Sequence, residues 1–422
     1  MSIIIINITI ITPDKVISGG HVEVDGDRIT AVGKGKGKAG AGVTVVDGKG
    51  GFLVPGFIDF HCHGGAGYDL TSGLYDPLVE GFKFDDKIRD EAPVAICKAH
   101  AIHGTTTLLL GTLAAPIENI KAALAGLAKH LGVVPGGGRL EGAFCEGTFL
   151  KEQAFAGAQS DRFFKAPDVK LFDELNESAN GSIRIVTIAP EYGESAVKLV
   201  KHLSGKGVVP AIGHSAARYK DTMAAIDAGL RLATHFSNGP IFTTFKPPGG
   251  AMEAVMERPE VVLELICDGY HINPRYVMDF LSARKLEAVL ITDAMPPVGS
   301  PDIKSFVIGD KRGVLSEDGG VMRLAGTEFT LFGSVLTMDR AVANVTKWLM
   351  ANKPGVYTAP MFKKAPDLKT ALSYAVKMAT VIPAKVLGLD DRGRIEKGKL
   401  ADLVLMDKDL AVKKVFVGGR EI

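Results

Sequence analysis

The regular alternation of short apolar runs with helical stretches is the feature that most limits what this chain can fold into. From residue 52 onward, runs rich in Val, Ile, Leu and Thr are each followed by a stretch whose apolar residues have helical spacing. Such alternation is typical of parallel strands joined by helical crossovers. The runs cover residues 51–61, 105–112, 139–147, 183–191, 208–215, 231–239, 261–271 and 288–295. Eight units predict an α/β fold closed into a (β/α)8 barrel.

Both ends of the chain have a different pattern. Residues 1–53 and the last residues contain short alternating strands separated by turn glycines. We therefore predict one small β-domain built from residues 1–53 and 389–422, with the barrel occupying residues 54–388. A chain of 422 residues is long enough for this arrangement.

Composition excludes several classes of function. With 49 basic and 48 acidic residues, the net charge of +1 provides no field that would attract nucleic acid or an anionic membrane. No run of about 18 apolar residues occurs, so no membrane span is predicted. Four cysteines without paired spacing predict a reducing compartment, the cytoplasm.

Ionisable residues follow the runs at the points where barrel enzymes carry their working groups, the carboxyl ends of the strands. They are His61, His63, Glu146, His214, His235, His271 and Asp293. Because residues i and i+2 of a strand share a face, His61 and His63 can both point towards the barrel axis. Imidazoles and a carboxylate meeting there suit Zn²⁺, Fe²⁺ or another borderline divalent ion. A lone histidine would be a hydrogen-bonded core ring, but the equivalent positions of Glu146, His214 and His235 favour a metal site.

Two further run-end residues each have two interpretations. Asp293 is either a helix cap or ion-pair partner, or the group that accepts a proton from water and delivers one to a leaving nitrogen. His271 either caps its run or donates a hydrogen bond to a carbonyl oxygen as charge develops there.

Taken in order, several motifs resemble the amidohydrolase superfamily and, within it, the N-acetylglucosamine-6-phosphate deacetylase family. They are PGFIDFHCHGG, HGTTTLLLGT, EGTF, TIAPE, GHS, THFSNGP, DGYH, ITDAM and GRIEKGKLADLVLMD, from about residue 45 to the C-terminus. The resemblance implies a metal-dependent barrel with a small β-sandwich domain. It also implies a homodimer of amino-sugar catabolism that removes acetate from the 2-acetamido group of an N-acetylhexosamine 6-phosphate, with N-acetylglucosamine 6-phosphate as the first choice.

The resemblance also implies residue roles. Glu146, His214 and His235 would hold the main metal, and His61 and His63 a second ion, with Zn²⁺ expected before Fe, Mn or Co. Asp293, also counted among the metal ligands, would be the general base and acid, and His271 would orient the substrate. The further substrate contacts implied are Ala158, Gln159, Asn238, Gly239, Lys246, Leu331, Phe332 and Gly333.

Departures from the family pattern concern the substrate. Ala158 and Gln159 stand near the place of a Gly-Ala-His that contacts the sugar, and Phe245 and Lys246 replace a His-Arg pair. Lysine pairs with phosphate as a point charge but cannot form the bidentate fork of arginine. Deacetylation of an unphosphorylated or differently phosphorylated N-acetyl sugar is therefore an alternative.

A cyclic-amide hydrolase and a non-catalytic scaffold are further candidate functions for a barrel of this superfamily. Run four ends without the metal-bridging lysine expected of a cyclic-amide hydrolase. Every metal-ligand position of the family is filled, which disfavours a scaffold. The sequence therefore favours the deacetylase over both.

Overall fold

The computed structural model describes residues 2–37, 40–238, 241–244 and 246–422. Its strands up to the middle of the chain are β1 (Ser2–Ile11), β2 (Val16–Asp25), β3 (Arg28–Lys34), β4 (Thr44–Asp47), β5 (Phe52–Pro55), β6 (Phe57–Asp59), β7 (Gly64–Gly65), β8 (Tyr68–Asp69), β9 (Gly73–Asp76), β10 (Gly81–Lys83), β11 (Thr105–Gly111), β12 (Gly132–Val133) and β13 (Arg139–Phe149). The later strands are β14 (Ile183–Ile188), β15 (Val209–Ile212), β16 (Leu232–Ala233), β17 (Val262–Ile266), β18 (Ala288–Ile291), β19 (Ser305–Ile308), β20 (Lys311–Leu315), β21 (Val321–Leu324), β22 (Leu331–Ser334), β23 (Leu403–Met406), β24 (Val412–Val417) and β25 (Arg420–Glu421).

The α-helices of the described residues are α1 (Asp86–Ala101), α2 (Ile117–Ala128), α3 (Val169–Ser178), α4 (Glu194–Gly205), α5 (Tyr219–Ala228), α6 (Ala251–Glu257), α7 (Pro274–Ala283), α8 (Met338–Ala351), α9 (Leu368–Ala379) and α10 (Val381–Leu387). Several begin at an aspartate whose side chain accepts a hydrogen bond from the first turn, as Asp168 does from the amide of Leu171 at 2.7 Å. Among these helices, none has both the length and the apolar character needed to cross a bilayer.

The barrel confirms the predicted fold class. Its parallel strands follow the order β6, β11, β13, β14, β15, β16, β17 and β18, and each of the eight overlaps one of the predicted apolar runs. Beyond their ends, the first and last strands are joined by hydrogen bonds from the Asp293 amide to the His61 carbonyl, 2.8 Å, and from the His63 amide to the Ala294 carbonyl, 3.0 Å. The segments that carry three candidate site residues therefore close the barrel.

Burial explains why the strands are apolar throughout. Every residue of β11 and β18 is buried, because the barrel core covers one face of these strands and the helices cover the other. Polar side chains are consequently found in this core only where they have hydrogen-bond partners. The strand ends supply such partners.

The termini share one eight-stranded sheet, as the sequence predicts. Along the sheet the order is β25, β24, β23, β5, β1, β2 and β3, with β4 paired to β1. A hydrophobic cluster separate from the barrel core includes Ile5 and Ile10 from one end of the chain and Leu403 and Phe416 from the other. The domain boundaries at residues 53 and 388 remain predictions.

A four-stranded antiparallel sheet, β19 to β22, follows the last barrel strand and is absent from the sequence prediction. Phe306, Met322 and Phe332 of this sheet pack on Leu113 and Met295, which follow barrel strands β11 and β18. This packing fixes the sheet, here called the cover sheet, beside the carboxyl ends of the barrel strands.

Candidate metal centre and substrate cavity

A cavity of about 740 Å³ opens at the carboxyl ends of the barrel strands. Its lining residues include His63, Glu146, His214, His235, His271 and Asp293. The cover sheet contributes part of the wall through residues 328–333. Six of the sequence-predicted polar residues and the cover sheet therefore face one common space, whereas His61 does not line it.

Glu146 lies at the centre of the first ligand group. Its Oε1 is 3.3 Å from Nε2 of His214 and 3.2 Å from Nε2 of His235, and these two nitrogens are 3.0 Å apart. Glu146 belongs to β13, whereas each histidine lies two residues beyond the end of its strand, β15 or β16. The three predicted ligands of the main ion thus converge on one point.

His61 and His63 form the second group with the same glutamate. Their Nε2 atoms are 3.2 Å apart, and Nε2 of His63 is 3.3 Å from Oε2 of Glu146. Asp293 closes this group, because its Oδ1 lies 3.2 Å from Nε2 of His63 and 3.5 Å from Nε2 of His61. The two oxygens of Glu146 therefore face two separate pairs of imidazoles.

Three of the four imidazoles are anchored at Nδ1, which leaves Nε2 facing the centre. Nδ1 of His61 contacts Oε2 of Glu264 at 2.7 Å, and Nδ1 of His235 contacts the carbonyl of Asn238 at 2.8 Å. Nδ1 of His214 lies 3.2 Å from the Phe155 carbonyl. An Nδ1 proton bonded in this way leaves the Nε2 lone pair for a metal ion.

The orphaned atoms also fit a cation. Oε1 of Glu146 is buried and has no hydrogen-bond donor within the described part of the chain. The Nε2 atoms of His214 and His235 face each other about 3 Å apart, so protons on both nitrogens would repel each other. A divalent ion between nitrogen and carboxylate ligands would satisfy all these atoms at once.

The carboxylates of the site stabilise positive charge on the groups beside them. Burial by itself would raise the pKa of Glu146, but His214, followed by His235 and His63, holds it well below its ordinary value. Burial would likewise lower the pKa of His235, yet the closeness of Glu146 to its Nε2 and the charges of the nearby carboxylates raise it to about 9. The site therefore favours cations, and a metal ion would replace protons on the imidazoles.

Asp293 lies between this centre and the cavity. Burial by itself would raise the pKa of Asp293, but the hydrogen bond to His63 and the charges of His61, His63 and His235 have the larger effect. The pKa therefore lies below its ordinary value, and the group is a carboxylate. Its backbone has φ of 51°, and His214 and His235 also have positive φ. Strained backbone of this kind is concentrated at functional sites, where the surrounding structure enforces it.

His271 is held by Asp268. Nδ1 of His271 is 2.6 Å from Oδ2 of Asp268, and Oδ1 accepts the backbone N–H groups of Tyr270 and His271. Because Nδ1 is engaged, the other ring nitrogen is the one available to a ligand in the cavity. Asp268 lies two residues beyond the end of β17. This position is equivalent to those of His214 and His235, which lie two residues beyond the ends of β15 and β16.

The predicted substrate contacts are distributed unevenly. The cavity wall includes Ala158, Gln159, Asn238 and the segment 331–333. The buried Nδ2 of Asn238 has no acceptor within the described part of the chain, so it is available to a ligand. Gly239 lies outside the described residues. Lys246 is exposed and does not line the cavity.

Gln159 lines the cavity, but its amide already has partners. Its Nε2 donates to Oε2 of Glu146 at 2.9 Å, and its Oε1 accepts the backbone N–H of Ala114 at 2.8 Å. Gly147, with φ of +83°, makes room for this arrangement, because a Cβ there would lie 2.3 Å from the Ala114 nitrogen and 2.8 Å from Oε1 of Gln159. Gln159 thus donates a hydrogen bond to the carboxylate that the sequence predicts as a metal ligand.

Sequence reasoning missed three residues of this region: Glu264, Asp268 and Arg323. Glu264 is a buried acid in the middle of an apolar run, a signal that could have identified it. Asp268 stands three residues before His271, close enough to suggest a pair. Arg323 lies on the cover sheet, which was not predicted at all.

Comparison with known proteins gives consistent matches. The amidohydrolase family model matches residues 52–422. N-acetylgalactosamine-6-phosphate deacetylase of Escherichia coli is 32% identical over 379 residues, which cover 90% of this chain and 89% of that protein. N-acetylglucosamine-6-phosphate deacetylase of Vibrio furnissii is 30% identical over 371 residues, which cover 87% of this chain and 82% of that protein.

Solved structures match over the whole chain. A variant of N-acetyl-D-glucosamine-6-phosphate deacetylase from Mycobacterium smegmatis, in complex with N-acetyl-D-glucosamine-6-phosphate, has a TM-score of 0.82 and 30% identity, covering 100% of this chain and 98% of that one. The N-acetylglucosamine-6-phosphate deacetylase from Thermotoga maritima has a TM-score of 0.77 and 27% identity, with 99% of each chain covered.

Proposed function

Because this chain belongs to the amidohydrolase family, whose model matches all but its first 51 residues, we propose that it deacetylates an N-acetylhexosamine 6-phosphate. The products are acetate and the amino-sugar phosphate, and N-acetylglucosamine 6-phosphate is the first candidate substrate. The observation that carries this proposal is the convergence of Asp293 with two imidazole pairs and Glu146 at the cavity. Relatives active on the glucosamine and galactosamine epimers make both sugars candidates.

The centre would hold a divalent ion. We assign Glu146, His214 and His235 to the main ion, and His61 and His63 to a second ion where two bind, with Asp293 beside them. Zn²⁺ is the first choice, since nitrogen and carboxylate oxygen ligands suit it, with Fe, Mn or Co as alternatives. When bound, such an ion would polarise the amide carbonyl and lower the pKa of water.

The side chains perform the proton transfers. Asp293 is a buried carboxylate at the cavity, so it accepts a proton from the attacking water and delivers it to the nitrogen as the carbon–nitrogen bond breaks. His271, oriented by Asp268, donates a hydrogen bond to the substrate oxygen that gains negative charge. The Asn238 amide offers a further donor to the sugar.

For assembly and location, we expect a cytoplasmic homodimer. The four cysteines are all unpaired and buried, which accords with a reducing compartment. Light scattering coupled to size exclusion would give twice the chain mass of 44.6 kDa for a dimer.

Acetate release is the direct test. The metal-loaded protein is compared on the 6-phosphates of N-acetylglucosamine, N-acetylgalactosamine and N-acetylmannosamine, and on the three unphosphorylated sugars. The expected result is a higher kcat/KM for at least one phosphorylated sugar than for its unphosphorylated form. A preference for the unphosphorylated sugars would favour the alternative substrate class, and no acetate from any of them would contradict the proposal.

A further inference from the structure

Arg323 is a cation of the cavity wall that lies outside the metal centre and its proton-transfer groups. It is on β21 of the cover sheet, opposite Leu331 of β22 in the antiparallel register. Cross-strand partners project from the same face of a sheet, and both residues line the cavity. The position of Arg323 is therefore fixed by strand pairing, and the buried neighbour Met322 anchors the strand in the core of the cover sheet.

The guanidinium has few partners within the protein. Its Nη1 donates to the carbonyl oxygen of Glu328 at 3.1 Å. Within the described part of the chain, no carboxylate oxygen lies within 4.0 Å of it. By contrast, Arg258 pairs with Asp227 and Glu260, and Arg392 pairs with Glu141 and Asp391. Most of the five N–H donors of Arg323 are thus available to a ligand.

No other lysine or arginine lines the cavity within residues 2–37, 40–238, 241–244 and 246–422. Lys246, the cation that the sequence suggests for the phosphate, is exposed and does not line it. Glu328 borders the same space and carries a negative charge, so an anionic ligand would need a cation to offset that charge.

On these observations we propose that Arg323 binds the phosphate group of the sugar phosphate and sets the preference for phosphorylated substrates. The inference rests on the proposed function for its substrate class. A planar guanidinium can donate two parallel hydrogen bonds to phosphate oxygens, which a lysine cannot. The cover sheet thereby supplies the fork that is missing from the loop around Lys246.

Kinetics of Arg323→Gln test the assignment, with Arg323→Lys as the conservative variant and Lys304→Gln as the matched control. Lys304 is an exposed cation that precedes β19 of the same sheet and does not line the cavity. Loss of a charged hydrogen-bond pair should raise KM for the phosphorylated sugar about ten- to a hundredfold, with kcat nearly unchanged. Arg323→Lys should lie between, and Lys304→Gln should match the wild type.

The unphosphorylated sugar distinguishes phosphate binding from a general effect on the fold. Its kcat/KM should be the same in the wild type and Arg323→Gln. An equal loss on both sugars, an unchanged KM for the phosphorylated sugar, or a larger effect of Lys246→Gln would overturn the proposal.

A binding measurement separates this inference from the proposed reaction. Calorimetric titration of the metal-loaded protein with glucosamine 6-phosphate requires no turnover. The wild type should bind it about ten- to a hundredfold more tightly than Arg323→Gln does, and the difference should shrink as salt increases. Equal affinities would overturn the role of Arg323 whether or not the protein releases acetate, whereas a lack of acetate release alone would count only against the proposed reaction.

Discussion

Glu264 accepts a 2.7 Å hydrogen bond from His61, Nδ1 to Oε2, in a pair of side chains with no solvent exposure. The same oxygen accepts the backbone N–H of His235 at 3.0 Å. One acid on β17 thus positions residues that follow β6 and β16. Partners of this kind fix the tautomer and orientation of ligating imidazoles.

Replacing Glu264 should therefore weaken metal binding. Glu264→Gln keeps the size of the side chain but removes the charge that orders His61, so we expect metal affinity to fall about 10- to 100-fold. Titration against a competing chelator measures it. Glu287→Gln is the control, because Glu287 forms an exposed ion pair with Lys377. This variant should bind metal as the wild type does. Unaltered affinity in Glu264→Gln would show that metal binding does not depend on the charge of Glu264.

Replacing Asp293 should reduce turnover much more than it reduces metal binding. Asp293→Asn keeps the shape of the side chain but cannot accept a proton, so kcat should fall about 10²- to 10⁴-fold. Metal content measured by atomic emission should stay at the wild-type ratio, because Glu146, His214 and His235 remain. Asp173→Asn is the control, because Asp173 is half-buried beside His202 and does not line the cavity, and it should turn over at the wild-type rate. Equal rates for wild type and Asp293→Asn would refute the assigned role.

Gln159 provides a test of how the central carboxylate is held. Since its amide donates to Oε2 of Glu146, Gln159→Ala should lower metal affinity about tenfold and leave the fold intact. Gln159→Glu should lower it further, because two carboxylates would then face each other. A contact with the sugar alone would instead raise KM while metal affinity stays constant, and chelator competition measured beside KM separates the two outcomes.

Asp339 should stabilise the protein in a pH-dependent way. It lies in the first turn of α8 and contacts Nδ1 of His103 at 3.1 Å. Burial raises its pKa, but the hydrogen bonds from His103 and Thr337 outweigh this and hold it below the ordinary 3.8. A lowered carboxylate pKa gives stability that is present above pH 3.8 and lost as the pH falls through the lowered value.

At pH 7, Asp339→Asn should therefore reduce the free energy of unfolding by about 1 kcal/mol, the usual size of such helix-terminal and partly buried contacts. Denaturant titrations at a series of pH values measure the difference from the wild type. The difference should narrow below pH 3.8. A constant difference across the series would mean that Asp339 acts through packing and not through its charge.

Much of the barrel was predictable because its signals are local. Each strand is a short apolar run, and the ionisable residues come at or just after the ends of the runs, so the fold class and the group of side chains that meet in the cavity could both be read along the chain. The spacing of His61 and His63 fixed their shared face. The grouping of Glu146 with imidazoles from separate strands followed from the common edge of a parallel barrel.

The features missed by sequence reasoning depend on contacts between distant segments. Glu264 lies 203 residues from His61, and no periodicity links them. Gln159 resembles a substrate contact until its bond to Glu146 is seen. The cover sheet consists of four short strands with polar turns, too brief for a strong pattern, so the cavity wall around Arg323 could not be foreseen.

The sheet shared by both termini constrains how the protein is made. β5 pairs with β1 on one side and with β23 on the other. Translation from Pro55 to Leu403 takes roughly 20 to 70 s at ordinary rates of synthesis, and during that time one edge of β5 has no permanent neighbour. Unpaired edges recruit other chains, so a nascent polypeptide stalled before β23 would be a substrate for chaperones or a seed for aggregates.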